Sequence, residues 1–284
     1  MGKFTGILLV SDFDGTFTSQ VRENYKKNVA AVERFKSGGG LFTFATGRDY
    51  HSLLAVEPDF MNIANAPVIT ANGARLYDIN KKEYIFSHVL NLPLFSEFLD
   101  EIYKIYPDLG VRFSSEDGLV IPVLNEIIKD DLSDLFMQNI SVRIMSVQEL
   151  IESGEKVYKC VMIHTPEITN HIKKLALEFY GRREICFTKT YDRGFEAVNI
   201  NASKGATALK LKEYLGARDN LEYKLCAIGD YDNDLELIKL ADFSGAPANA
   251  LDEVKKAATV QTVAAKDGAV ADFIRVIGKI ERQG

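Results

Sequence analysis

Cysteine is scarce in this 284-residue chain, and the few present form no pattern. Cys160, Cys186 and Cys226 fall in apolar or strand-like stretches with no CxxC spacing. That excludes a disulfide scaffold and leads us to expect reduced, buried thiols in a cytoplasmic protein. Histidine is equally thin, and His51, His88, His164 and His171 show no zinc-ligand spacing. No apolar run approaches the roughly 20 residues of a membrane-spanning helix, so no membrane association is expected. Asp12 interrupts the N-terminal apolar stretch, which argues against a signal peptide. An excess of basic charge is also missing: 34 Lys and Arg stand against 40 Asp and Glu, a net charge of −6. A general grip on nucleic acid needs a basic face, so nucleic acid is not an expected partner, although a local basic pocket for phosphate remains open. The chain also contains no G-x-x-x-x-G-K-[ST], no G-x-G-x-x-G and no G-x-S-x-G. Kinase, dinucleotide-dependent oxidoreductase and serine hydrolase readings therefore lack their main signatures.

What is present reads as an ordinary globular chain, 46% hydrophobic and 26% charged, long enough for two domains. Its first seventy or so residues alternate strand and helix. Ile7-Leu8-Leu9-Val10 is a continuous apolar run, as expected of a strand buried on both faces. Tyr25, Val29, Val32 and Phe35 recur at helical spacing, and Gly38-Gly39-Gly40 stops that helix. Leu41-Phe42-Thr43-Phe44-Ala45 and Pro67-Val68-Ile69-Thr70 read as further buried strands, so βαβ units and a parallel sheet follow. Residues 75–78 and 83–88 flank Asn80-Lys81-Lys82 as a hairpin. Between 86 and 192 the rhythm changes. Strand candidates at 118–123, 142–145, 157–164 and 184–188 mix irregularly with two amphipathic helices, around 95–102 and 168–179, which suggests an α+β insert. From about residue 200 the βαβ rhythm returns, with a helix from Ser203 to Gly216, a strand at 224–228 and a helix from Asp232. The expected architecture is α/β, a Rossmann-like doubly wound parallel sheet formed by 1–85 and 193–284, with an α+β domain inserted at 86–192.

The chemistry sits where strands of the βαβ parts give way to helices. Asp12-Phe13-Asp14-Gly15-Thr16 follows the first strand directly. Side chains on a strand repeat every two residues, so Asp12 and Asp14 can point the same way, and Gly15 lets the chain turn. Two carboxylates at a buried strand end are costly unless a cation or hydrogen-bond network holds them. Thr46-Gly47-Arg48 follows the second strand, with a hydroxyl and a glycine that admits an anion close to the backbone. Ser203-Lys204-Gly205 opens a helix; Ser203 is a plausible N-cap, but Lys204 in the first turn opposes the helix dipole, a conflict that a bound anion would resolve. Gly229-Asp230-Tyr231-Asp232-Asn233-Asp234 follows the strand at 224–228 with more acids than capping alone explains. Together these residues make chemical sense. Asp12 and Asp230 offer hard oxygens to Mg²⁺. The metal and Lys204 neutralise a phosphate, so that Asp12 can attack phosphorus. Asp14 is then placed to protonate the leaving alcohol and later to activate water.

With all four segments in this order, the chain resembles the haloacid-dehalogenase (HAD) superfamily of phosphatases. The large insertion between the second and third motifs resembles the Cof-type, class IIB cap, as do Asn72-Gly73-Ala74 and Asp267-Gly268-Ala269-Val270. The resemblance implies Asp12 as nucleophile and Mg²⁺ ligand, Asp14 as acid/base lending its backbone carbonyl to the metal, and Asp230 as a further ligand. It implies that Thr46, Gly47, Lys204 and Asn233 bind the phosphoryl group, and that Thr16 and Asp234 support them. The implied activity is Mg²⁺-dependent hydrolysis of small phosphorylated metabolites, sugar phosphates foremost, through an aspartyl-phosphate. A phosphotransferase or phosphomutase on the same core, and a non-catalytic sugar-phosphate sensor, are the alternatives. Arg48, Asn72, Tyr191 and Arg193 are candidates for substrate contact, the last two beside a hinge placed near Asp192-Arg193-Gly194. The physiological substrate and the oligomeric state are not readable from the chain.

Overall fold

A computed structural model describes residues 2–19, 22–132, 140–180, 184–191 and 193–280. Contacts divide the chain into two units, one of residues 1–47, 59–85 and 203–284 and the other of 48–58 and 86–202.

The first unit is built on a five-stranded, wholly parallel sheet. Its order is Val260–Thr262, Phe243–Pro247, Lys224–Ile228, Ile7–Ser11, Leu41–Phe44. Ile7, Leu8, Leu9 and Val10 are each at most 2% exposed, as a strand covered on both faces requires. The helix Arg22–Ser37 buries Val32 and Phe35 and ends at the glycine run, with Gly39 left-handed at φ +89°. A single parallel bridge, Ala45 to Ile69, carries the sheet on to Val68–Thr70. That strand is itself the edge of a smaller antiparallel sheet with Arg75–Asp78 and Glu83–Ser87. Successive connections run one way from Ile7–Ser11 to Leu41–Phe44, and the other way from Lys224–Ile228 outward. The winding therefore reverses between Ile7–Ser11 and Lys224–Ile228, and a crevice at the carboxyl ends of two such strands is where open α/β sheets bind ligands.

The second unit is α+β. Six strands lie in the order Ile185–Tyr191, Gly194–Asn199, Val157–Ile163, Gly110–Ser115, Gly118–Ile121, Val142–Ile144, antiparallel except for the last pair. The helices Leu92–Ile105 and Pro166–Tyr180 close one core, where Phe95, Phe98, Leu99 and Ile172 meet Phe113, Cys160, Met162 and Phe195. A smaller cluster joins Ile121, Val161 and Ile163 to Ile128 of the helix Glu126–Leu132. Among the described residues no helix is long and apolar enough to cross a membrane. All three cysteines are free, and Cys160 and Cys226 are buried.

The structure moves several boundaries. Residues 193–202 group with the second unit, because Gly194–Asn199 is a paired inner strand between Ile185–Tyr191 and Val157–Ile163. Gly194 faces both Tyr191 and Ile163 in that ladder, so it is no hinge. Gly216 does not stop its helix. The helix Lys204–Asp219 runs three residues further and ends on left-handed Asn220, whose N–H bonds the Gly216 carbonyl. The strands Gly110–Ser115 and Gly194–Asn199 and the helices Glu126–Leu132 and Val147–Ser153 stand where the sequence pattern shows no element.

Candidate active site

The site begins with register. Ser11 lies opposite Ile228, and the Asp12 N–H continues the ladder by donating to the Ile228 carbonyl at 2.9 Å. Asp12 and Gly229-Asp230 therefore leave the sheet side by side. Strand alternation turns Phe13 inward, where its ring meets Phe44 edge-on at 5.4 Å and lies 6.3 Å from Phe17. With Phe13 anchored at 1% exposure, Asp12 and Asp14 are directed away from it; Asp12 is buried and Asp14 exposed. The chain then turns at Gly15, left-handed at φ +80°. A Cβ on Gly15 would stand 2.5 Å from Asp230 Oδ2, so the turn needs glycine for both its conformation and its space. Thr16 Oγ1 donates to Asp230 Oδ1 at 2.7 Å, and Asn249 Nδ2 donates to the Gly15 carbonyl at 2.9 Å.

Ser203 caps the helix Lys204–Asp219 by accepting the Ala206 N–H at 2.9 Å. Lys204 is 1% exposed, and its ammonium lies 2.6 Å from Asp12 Oδ1 and 2.6 Å from Asp234 Oδ1. The conflict between Lys204 and the helix dipole is thus relieved by two carboxylates of the chain itself. Asp234 serves twice. Its Oδ2 accepts the backbone N–H groups of Asp230 (3.0 Å) and Tyr231 (3.1 Å), while its Oδ1 holds Lys204.

Charge is crowded here. Burial alone would lower the Lys204 ammonium, but Asp12 and Asp234 outweigh it and hold the group well above its ordinary value. Asp12 is pushed well above the usual carboxylate range by burial, with Asp234 and Asp230 adding to the effect against Lys204. Burial and Asp234 raise Asp230 from 3.8 to about 6, against the Thr16 hydrogen bond and Lys204. Carboxylate oxygens of Asp12, Asp230 and Asp234 all lie within 4.8 Å of one another. Three acids against one ammonium leave a buried excess of negative charge, and an oxygen-only donor set of this kind fits a hard divalent cation. Both oxygens of Asp234 are already engaged, so Asp12 and Asp230 are the pair that fits the cation.

Thr46 is 1% exposed; its N–H donates to the Ile69 carbonyl at 3.0 Å and its own carbonyl accepts the Asn72 N–H at 3.0 Å. Gly47 packs against the Asn72 amide, and Asn72 Oδ1 accepts Asn233 Nδ2 at 2.9 Å. All the core residues singled out in the sequence thus gather at one end of one sheet. One participant carries no recognisable sequence signal: Asn249 lies in an unremarkable Pro-Ala-Asn turn. Asn72 and Asn233 are both singled out in the sequence, but nothing in their spacing connects them to each other. The remaining candidates belong to the second unit. Arg48 Nη1 bonds Ser52 Oγ at 3.2 Å, and exposed Arg193 pairs with Asp130 at 3.1 Å. The Tyr191 side chain and Asp192 lie outside the described residues.

Known proteins share this fold and its family. A family model described as haloacid dehalogenase-like hydrolase matches residues 9–274. A 5-amino-6-(5-phospho-D-ribitylamino)uracil phosphatase of Bacillus subtilis is 24% identical, over 93% of this chain and 95% of its own length. Among solved structures, a haloacid dehalogenase-like hydrolase from Bacteroides thetaiotaomicron superposes with a TM-score of 0.75 at 24% identity, over 95% of this chain and 99% of that one. A HAD subclass IIB sugar phosphatase superposes with a TM-score of 0.78 at 19% identity, over 96% and 99%. The chain belongs to the haloacid dehalogenase-like hydrolases, as an enzyme of the Cof-type phosphatases in that superfamily.

Proposed function

We propose that this enzyme is a cytoplasmic, Mg²⁺-dependent phosphatase of small phosphorylated metabolites, sugar phosphates foremost, working through an aspartyl-phosphate on Asp12. One observation carries the reading: buried Asp12 is tied to Lys204 at 2.6 Å beside Asp230, while Asp14, two residues on, is open to solvent. Asp12 and Asp230, with the Asp14 carbonyl, would hold Mg²⁺, which supplies charge neutralisation for an incoming phosphate when bound. Lys204, Thr46, Gly47 and Asn233 bind and orient the phosphoryl oxygens. A carboxylate oxygen of Asp12 then attacks phosphorus as the bond to the leaving oxygen breaks, and the Asp14 carboxyl gives its proton to that oxygen. In the second step water attacks phosphorus and its proton passes to Asp14. The acyl-phosphate bond opens, inorganic phosphate leaves and Asp12 is regenerated.

The substrate class draws support from the relatives. One acts on a phosphorylated ribityl chain and another is a sugar phosphatase, and both match nearly the full length of this chain. The test is phosphate release from p-nitrophenyl phosphate and from a panel of sugar phosphates, with Mg²⁺ and with excess EDTA. Activity that survives EDTA would rule out the metal's role. Asp12→Asn is expected to abolish turnover, whereas Asp14→Asn should slow it by a factor on the order of 10² to 10⁴ with metal binding kept. Near-normal kcat in Asp12→Asn would refute the covalent route.

A further inference from the structure

The turn after Val68–Thr70 has an unusual backbone. Ala71 (φ 49°), Asn72 (φ 55°) and Gly73 (φ 90°) are left-handed in succession. Only glycine is at ease there; asparagine tolerates the region, and alanine pays for it. A run of this kind persists when its surroundings fix it, and here they do so on three sides. The Asn72 N–H is taken by the Thr46 carbonyl at 3.0 Å. The Gly73 carbonyl is held by Thr207 Oγ1 at 2.8 Å, from the helix that carries Lys204. The Asn72 side chain, 3% exposed, accepts Asn233 Nδ2 at 2.9 Å and lies against Gly47. One strained turn therefore meets the segments carrying Thr46-Gly47, Lys204 and Asn233.

We infer that Asn72 is a positioning residue, which fixes the Asn233 amide so that its remaining polar atoms are presented to the phosphoryl group. This rests on the proposed phosphatase reading. An amide side chain can rotate, and its oxygen and nitrogen ask opposite things of a phosphate: the nitrogen donates to it and the oxygen repels it. By accepting one Nδ2 hydrogen, Asn72 Oδ1 fixes which end of Asn233 is which and leaves its second N–H available. The left-handed backbone brings Asn72 Oδ1 to that place. Asn72 is thus a substrate-pocket residue that acts through a neighbour, which differs from the direct substrate contact expected of it from sequence.

Backbone and side chain are separable by substitution. Asn72→Gly keeps the left-handed turn and removes the acceptor; Asn72→Ala removes the acceptor and strains the turn. With p-nitrophenyl phosphate, both are expected to lose kcat/KM by on the order of 10-fold or more, to similar extents. Orthovanadate, a mimic of the five-coordinate transition state, should lose more inhibitory strength than inorganic phosphate does. Melting temperatures should separate the two variants, with Asn72→Ala the lower. The decisive measurement is a double-mutant cycle: in an Asn233→Ala background, Asn72→Gly should cost almost nothing further. Losses that multiply across the cycle overturn the inference, as does an Asn72→Gly enzyme with wild-type kinetics, which would reduce Asn72 to a backbone device. Wild-type protein that releases no phosphate overturns the phosphatase reading and the positioning role with it. Wild-type turnover with a multiplicative cycle overturns the positioning role alone.

Discussion

Asp230 is the residue whose environment speaks most directly to pH. Burial and Asp234 raise it from 3.8 to about 6 in the folded chain, and Asp12 is shifted the same way. A carboxyl raised by folding holds its proton more tightly folded than unfolded. Its contribution favours folding fully below the unfolded value and is withdrawn as pH climbs from 3.8 through about 6. Metal-free protein should therefore lose stability over that interval, and a divalent cation, which competes with protons for the same oxygens, should restore it. We expect Mg²⁺ to raise the melting temperature more at about pH 7.5 than at about pH 5. Equal gains at both would mean that the cation does not bind these acids. Lys204 gives the complementary test. Lys204→Met leaves Asp12 and Asp234 buried and facing each other without their cation, and should cost on the order of 3–5 kcal/mol in urea denaturation. Asp12→Asn relieves the crowding while Lys204 keeps Asp234, so its stability should stay near wild type or rise.

Elements place these residues, and the turn at Gly15 shows how tightly. Gly15→Ala must accept φ +80° and put a Cβ 2.5 Å from Asp230 Oδ2. Displacing that carboxylate should weaken apparent Mg²⁺ affinity by about 10- to 100-fold, the usual cost of disturbing a ligand's support. Titration of activity with Mg²⁺ measures this, and an unchanged midpoint would exclude Asp230 as a ligand. The strands that carry the site were readable because they are buried on both faces, so that Ile7-Leu8-Leu9-Val10 is an unbroken apolar run. In the second unit that signal shows Val157–Ile163 but fails for Gly194–Asn199, for a physical reason. Gly194–Asn199 carries Glu196, which pairs at 3.0 Å with Lys159 of Val157–Ile163, each under 6% exposed. A buried charge satisfied by a partner 37 residues away looks, within one segment, like a loop residue. Arg112 breaks Gly110–Ser115 similarly, with Asp131 at 2.8 Å as its partner. At the site the ordered motifs singled out the candidate residues, and contacts between motifs show how they are arranged. Asp234, expected from the resemblance to support the phosphate-binding residues, holds Lys204; Asn72 meets Asn233 across 161 residues.

At the scale of the molecule the division of the chain makes a sharp forecast. Replacing 86–202 by a short Gly/Ser linker removes every strand of the second sheet together. Ending the excision at 192 instead leaves Gly194–Asn199 behind with both neighbouring strands gone. An unpaired strand of buried residues invites association, so the shorter excision should aggregate while the longer one stays soluble and unfolds cooperatively. The longer excision should also lose preference for a good sugar phosphate over p-nitrophenyl phosphate, since the phosphoryl group is common to both. A soluble truncated enzyme with undiminished preference would place discrimination in the first unit.

The pairing of Ile7–Ser11 with Lys224–Ile228 has a consequence for synthesis. The first strand made gains Leu41–Phe44 on one edge early but must wait more than two hundred residues for Lys224–Ile228 on the other, and the surroundings of Asp12 are complete only when Asp234 has been added. The second sheet closes on contacts that all lie within 110–199 and can form earlier. Long-range pairing is slow to repay its loop closure, so the catalytic sheet should be the later event in refolding as well. Pulse-labelled hydrogen exchange should find the amides of Val157–Ile163 protected before those of Ile7–Ser11; the reverse order would contradict it. A ribosome releasing this chain thus leaves one edge of the apolar strand at its N-terminus without its partner for most of translation. The polypeptide acquires its chemistry only in its last fifth.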